Sequence, residues 1–409
     1  MKKRYRYRAY PTGEQAHAIA RLFGCVRVVW NDALATRERA RKAGEPFIKR
    51  GELSALLTAS KKTPERSWLT EVSSVPLQQS LVHLERAYTN FFNSLTGRRK
   101  GRRLGAPNFK RKSNRQSAEF TKSAGFSIIE TTHGVGYVRL AKIGHIRFNL
   151  SRSLPSPPSS VSLIQEPDGR YYVSFVVDVQ EQALPATSTA CGIDLGLTDL
   201  ATVAQSNGER DKVENPRWMR TRQKKLAKAQ RALSRKQKGS KNWHKARHQV
   251  AIEHRKTRET RLDHHHKLAL NLVRENQTIC VEDLAISGLA KTRLAKSIHD
   301  AGWGILIRLL KEKALAYGRE VITIDRWAPT SQTCAVCGAP GGKKPLNIRQ
   351  WECSECLALL DRDYNASVNI LVTAGLAETL TACGGSVRRA LAMVDADPVK
   401  HEPTELLPA

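Results

Sequence analysis

Cys191-Gly192-Ile193-Asp194-Leu195-Gly196-Leu197 is the stretch on which the reading of this chain turns. Ile193 and Leu195 flank Asp194 in the pattern of a buried strand. A second apolar run, Leu200 to Ala204, follows after a short turn. A carboxylate on such a strand is costly unless something compensates its charge. Two more acids share that setting. Glu282 ends the apolar run Thr278-Ile279-Cys280-Val281. Asp363 stands at the mouth of an apolar helix, in Asp361-Arg362-Asp363-Tyr364-Asn365-Ala366-Ser367. Taken singly, each acid is weakly informative, because a turn, a cap or an ion pair is the more frequent role for such a residue. Taken together, three converging carboxylates suffice to hold a pair of Mg²⁺ ions, hard cations that take oxygen ligands. Two such ions, about 3.5–4 Å apart, activate water and stabilise the leaving oxygen of a phosphodiester.

The rest of the composition agrees with a polyanionic substrate. The 409 residues suffice for two or three domains. Lys and Arg total 68 against 38 Asp and Glu, a formal charge of +30 that repels itself unless a polyanion neutralises it. The basic residues fall in several segments and are interleaved with aromatics, which points to nucleic acid rather than to a merely basic surface. Four of the eight cysteines form two Cys-x-x-Cys pairs, Cys334/Cys337 and Cys353/Cys356, fifteen residues apart. That spacing suits one tetrahedral Zn²⁺, structural because four thiolates leave no open position. A redox pair is the competing reading. The remaining cysteines are scattered, which argues against a disulfide framework and for a reducing cytosol. Met1-Lys2-Lys3-Arg4 has no apolar signal region behind it, and no stretch is apolar enough to span a membrane.

Along the chain, Arg4, Arg6 and Arg8 share one face of a first strand, with Tyr5 and Tyr7 on the other. Helical periodicity follows in Ala18, Ile19, Leu22 and Phe23, and again from Ser74 and Pro76 through Leu77, Leu81, Leu84 and Tyr88, closed by Gly97. A basic loop then carries Arg98, Arg99, Lys100, Arg102 and Arg103, with Lys110 beside Phe109. From about 125 to 180 the period is two, as expected of a small β-barrel. Residues 217–261 are very basic, with two helical stretches around Gly239. The tail after Gly384 is expected to be disordered.

These pieces, in this order, resemble the TnpB proteins of bacterial insertion sequences and, more distantly, the type V CRISPR effectors. The anchors are Gly192-Ile193-Asp194-Leu195-Gly196, Val281-Glu282-Asp283-Leu284, Thr330-Ser331-Gln332-Thr333-Cys334 and Asp361-Arg362-Asp363-Tyr364-Asn365. The resemblance implies a multidomain α+β fold: a RuvC-type, RNase H-like nuclease domain with an inserted four-cysteine zinc ribbon, preceded by a β-barrel wedge domain that carries an inserted helical recognition lobe. The expected boundaries are 1–12 and 105–185 for the wedge, 13–104 for the lobe, 186–328 and 358–383 for the nuclease, 329–357 for the ribbon and 384–409 for the tail. The family's catalytic trio maps onto Asp194, Glu282 and Asp363. Asp363 is taken over Asp361 because the family's acid stands two residues before the Asn-Ala pair. Leu357 follows the fourth cysteine where the family often has Gly, and Ser367 replaces a second Ala.

The implied activity is RNA-guided cleavage of double-stranded DNA next to a short motif, dependent on Mg²⁺, by a cytoplasmic, nucleoid-associated bacterial protein, most simply a monomer. The alternative is a nuclease-inactive, RNA-guided DNA-binding repressor. A cut-and-paste transposase is disfavoured because such enzymes order their acids Asp, Asp, Glu. Candidate nucleic-acid contacts are Arg4, Arg6, Arg8, Arg98, Arg99, Lys100, Arg102, Arg103 and Lys110, with Lys224, Lys225 and Lys228 in the basic helical segment.

Overall fold

The computed structural model describes residues 1–101, 103–131, 134–345, 347–379 and 388–389. Arg102, and all but 388–389 of the expected tail 384–409, lie outside the described residues. The chain divides into two compact units, Met1–Val179 and Gln180–Ala409.

The first unit runs β1 (Lys2–Tyr10), α1 (Gly13–Lys42), α2 (Arg50–Ser60), α3 (Ser74–Leu95), β2 (Gln116–Thr121), β3 (Ser127–Glu130), β4 (Val135–Leu140), β5 (Gly144–Asn149), β6 (Ser160–Gln165) and β7 (Tyr171–Asp178). The strands form one antiparallel sheet ordered β2-β6-β7-β1-β5-β4-β3. Among the described residues no ladder joins β2 to β3, so the region expected as a small barrel is an open seven-stranded sheet by its hydrogen bonds. Alternation along β1 turns Tyr7 into the core, where its ring meets those of Phe148 and Phe175 at 5.4 and 5.9 Å. The capping box of Thr12 and Gln15 starts α1. Ile19, Leu22, Phe23, Val26 and Val29 of that helix then enter the same core as Leu77, Leu81 and Leu84 of α3 and the inner face of the sheet. The helices of 13–104 and the β-region therefore share one apolar core. The N-cap of α3 is Ser73, one residue before the Ser74 expected from the sequence.

The second unit runs β8 (Ala190–Asp194), β9 (Asp199–Gln205), β10 (Arg210–Glu214), α4 (Trp218–Ser234), α5 (Lys241–Glu275), β11 (Thr278–Glu282), α6 (Ile286–Leu289), α7 (Ala295–Ala301), α8 (Trp303–Tyr317), β12 (Glu320–Ile324), β13 (Gln350–Glu352), β14 (Leu359–Asp361) and α9 (Arg362–Thr373). Its main sheet is ordered β10-β9-β8-β11-β12, with β11 parallel to both neighbours and β8, β9 and β10 antiparallel in turn. Side-chain alternation divides the sheet between two layers. Cys191, Ile193, Ile279 and Val281 pack with α5 and α8, through Leu272, Leu306 and Leu310. Ala190, Cys280 and Ile324 face Ile370 and Leu371 of α9. The basic segment splits where Gly239 takes a left-handed turn (φ +89°) and Ser240 caps α5. Among the described residues no helix is long and apolar enough to cross a membrane.

Gly192 sets how closely α9 approaches β8. A Cβ there would lie 2.1 Å from the Ser367 carbonyl oxygen and 3.0 Å from Leu371 Cγ. The near neighbour is backbone, so the helix as a whole must shift. Gly192→Ala is expected to destabilise the second unit by about 1–3 kcal/mol, the usual cost of overpacking. A lowered thermal midpoint in differential scanning calorimetry checks this.

Candidate active site and cysteine centre

Parity along the two central strands brings the first two acids together. Asp194 has the same parity as Gly192, and Glu282 the same as Cys280, so both fall on the face that α9 covers. The parallel register Ile193↔Val281 sets Asp194 beside Glu282 at the carboxyl ends of their strands. Asp363 enters from the first turn of α9. Asp194 responds to this company: burial first, then the charges of Glu282 and Asp363, push its carboxyl up to about 7, while Arg362 and Arg349 pull the other way. All three acids are half-buried. A cluster of carboxylates that resists losing its last proton is a donor set that fits a hard divalent cation.

Asp361 has a different place. Its carboxylate accepts from the Asp363 and Tyr364 backbone N–H groups at 3.0 Å, capping α9, and pairs with Lys212 Nζ at 2.8 Å. The cap and the ion pair hold its carboxyl below the usual range, despite the cost of burial. Asp363, two residues on in the first turn, adds its charge to the field at Asp194 and receives Arg349 Nη1 at 3.4 Å.

The remaining support comes from the cysteine-bearing segment. Thr330 donates its hydroxyl to Glu282 Oε1 at 2.6 Å. The Thr330 and Thr333 carbonyls accept from the amides of both Asn365 and Asn369, and Asn365 Oδ1 accepts from Ala335 N at 2.8 Å. Both asparagines are buried on one face of α9, four residues apart. The β13–β14 hairpin pairs Gln350 with Asp361, so the segment runs straight into the α9 cap. Arg349, from the same segment, also donates to Thr198 Oγ1 at 3.0 Å, in the turn after Asp194. None of Thr330, Asn369, Arg349 and Thr198 was legible as a site residue. The one signal was the polar pair Asn365/Asn369 on an otherwise apolar helix.

Cys334, Cys337, Cys353 and Cys356 form one cluster, their sulfurs all within 4.8 Å of one another. The Cys334–Cys356 and Cys337–Cys353 separations are 3.7 and 3.6 Å. A tetrahedron with metal–sulfur bonds of about 2.3 Å has edges of about 3.8 Å, so the four thiols fit one zinc-sized ion. The two knuckles match: Gly338 N donates to the Cys334 carbonyl and Leu357 N to the Cys353 carbonyl, each at 2.9 Å. Both closing residues are left-handed, Gly338 at φ +77° and Leu357 at φ +57°.

The proposed nucleic-acid contacts fall in both units. On β1, Arg6 is paired with Glu166 at 2.7 Å and lies over the Tyr172 ring, Arg8 reaches the Tyr171 carbonyl at 3.5 Å, and Arg4 reaches Ser162 at 3.4 Å. Arg98, Arg99, Lys100 and Arg103 are exposed beyond α3. Lys110 lies 3.9 Å from the centre of the Trp30 ring, and burial lowers its ammonium to about 8. Lys224, Lys225 and Lys228 are exposed on α4. His265, from the His264–His266 run, is fully buried and bonded to the Ala301 carbonyl at 2.9 Å.

The fold has known counterparts. It is similar to a solved Cas12f1–sgRNA–target DNA complex (TM-score 0.53, 15% identity, 88% of this chain and 83% of that chain). It is also similar to the mini-RNA-guided endonuclease CRISPR-Cas_phi3 (TM-score 0.54, 9% identity, 91% and 92%). The fold class is thus Cas12-like, mixed α/β and multidomain. A relative from Streptomyces pristinaespiralis named "Putative RNA-guided DNA endonuclease" is 44% identical, over 98% of this chain and 96% of its own. InsQ of Escherichia coli K12, under the same description, is 31% identical over 99% and 98%. Residues 174–293 match the IS605 OrfB family, described as "Probable transposase", and residues 303–370 match the Cas12f1-like TNB domain. The chain belongs to the TnpB (IS605 OrfB) family. Residues 1–46 match a model described as a helix-turn-helix domain, yet they hold one strand and one unbroken helix, β1 and α1.

Two outcomes follow from this geometry. A divalent ion must displace the proton held by Asp194 below about pH 7. Mg²⁺ affinity measured by calorimetry is therefore expected to rise by about tenfold per pH unit below that point, to level off above it, and to lose this slope in Asp194→Asn. Leu357 is 70% exposed, so its side chain contributes little packing against its left-handed backbone. Leu357→Gly is expected to strengthen metal retention against a chelator by about 1 kcal/mol, the cost of that conformation for a residue with a Cβ.

Proposed function

We propose that this chain is an RNA-guided DNA endonuclease of an insertion sequence, cutting DNA matched to its guide at a RuvC-type, RNase H-like centre. The observation that carries the reading is the convergence of Asp194, Glu282 and Asp363 on one face of the β8–β11 pair, in a member of this family. Bound Mg²⁺ would supply activated water and charge stabilisation at the phosphodiester. The protein's own part is to hold three like charges together. The strand register aligns Asp194 and Glu282, the Thr330 hydroxyl orients Glu282, and the Asp361 cap fixes the turn that presents Asp363. Zinc in the four-cysteine cluster would hold the segment that carries Thr330 and Arg349. The Met1–Val179 unit, with the expected wedge and recognition lobe, would contribute contacts to guide RNA and target DNA through the exposed arginines beyond α3.

The test is purification of the chain with its RNA, followed by Mg²⁺-dependent cutting of a DNA library matched to that RNA. Asp194→Ala is expected to abolish cutting, a drop of at least about a thousandfold, while RNA retention stays unchanged. Specific RNA without cutting under any divalent metal would replace this reading with a guided DNA-binding repressor. Absence of specific RNA would remove the guided reading altogether.

A further inference from the structure

Beside the acid centre, within the second unit, lies a cavity of about 440 Å³ lined by Leu197, Thr198, Arg217, Arg220, Lys296 and Asp300, among others. Its charge is unbalanced. Asp300, the one acid in the lining, is buried, and both its oxygens are spent on the first turn of α4: they accept from Met219 N at 2.7 Å and Arg220 N at 3.2 Å. Among the described residues the Arg217 and Arg220 side chains have no ion pair, and Lys296 Nζ meets only the neutral Gln223 Oε1, at 2.8 Å. Three cations thus face this space against the single charge of Asp300 among the described lining residues.

The cavity is also tied to the site of chemistry. Asn215, a buried residue of the same lining, donates its amide to the Leu197 carbonyl at 2.9 Å and accepts from Arg217 N at 3.3 Å. One side chain therefore couples Arg217 to the turn that leaves Asp194. Thr198, in that turn, receives the same Arg349 that reaches Asp363. Arg217 is held at φ +48°, ψ +54°, a left-handed conformation uncommon for a side-chain-bearing residue. Strain of this kind gathers where a group is held for a ligand.

We propose that this pocket is a subsite for a backbone phosphate of the DNA strand that is cut, gripped by Arg217, Arg220 and Lys296 next to the acid centre. The proposal rests on the acid centre being the place of cutting. It adds to that reading a fixed anchor that sets which phosphodiester reaches Asp194. Arginine forks suit the oxygens of a phosphate.

The test uses the full chain loaded with its RNA, in Ca²⁺ so that binding is read without cutting. The affinity for a fluorescein-labelled single-stranded DNA is followed by anisotropy against KCl concentration. The Arg217→Gln/Arg220→Gln double variant is expected to bind about tenfold more weakly. Its dependence of log K on log salt should be shallower by about 0.7 for each phosphate no longer neutralised, with co-purified RNA unchanged. Both side chains are exposed, so an unaltered thermal midpoint is expected, and Lys296→Gln gives an independent, smaller loss in the same direction. Equal affinity and equal salt slope in wild type and double variant would overturn the proposal. Loss of the co-purified RNA would also overturn it, by assigning the pocket to the guide. The two readings fail separately: a wild-type chain that binds the strand through these residues but cuts nothing in Mg²⁺ would sink the nuclease reading and leave the subsite standing.

Discussion

The architecture of the second unit answers one electrostatic problem: three carboxylates must stand within reach of one another without being pushed apart. Two of them are brought together by the ladder itself, since the parallel pairing of β8 with β11 sets Asp194 beside Glu282. The third needs a helix pressed against the sheet, and Gly192 permits that by leaving room for the Ser367 carbonyl. Hydrogen bonds from Asn365 and Asn369 to the Thr330 and Thr333 carbonyls then hold α9 to the segment that also braces Glu282. Hydrogen bonds of buried amides are costly to break, so they oppose the mutual repulsion of the acids.

The cysteine-bearing segment is accordingly part of the acid centre and not an appendage to it. It contributes Thr330 to Glu282, Arg349 to Asp363 and Thr198, and a hairpin whose last residue, Asp361, is the cap of α9. A metal at the four sulfurs would stiffen three of the supports of the acids at once. This also explains why two neighbouring acids have separate duties. Asp361 spends its oxygens on backbone N–H groups and Lys212, whereas the oxygens of Asp363 meet Arg349 and its charge acts on Asp194.

A formal charge of +30 is a property of the whole chain, but its availability to a polyanion is local. Arg6 is committed to Glu166 and the Tyr172 ring, and Lys110 is folded onto Trp30 with a weakened ammonium. The arginines beyond α3 and the lysines of α4 remain exposed. Around the acid centre, the Arg217 and Arg220 side chains have no ion pair among the described residues, and Arg217 is tied through Asn215 to the turn after Asp194.

Much of this was legible from the residues alone. Alternation and apolar runs marked the strands that carry Asp194 and Glu282, because a strand buried on both faces must be apolar around any acid it bears. Two Cys-x-x-Cys pairs marked the cluster, because tetrahedral thiolate ligation needs that spacing. Motif order marked the family. Tertiary structure alone decided the rest. Whether Arg6 is free or paired depends on Glu166, 160 residues away, and the supports of Glu282 and Asp363 come from a segment some 14 to 48 residues distant in the chain. The pocket at Arg217 depends on α7 bringing Asp300 to α4 across 81 residues. Local sequence records what a residue is, through its propensity and its polarity. Which charges remain unanswered depends on pairings that only the folded chain can make.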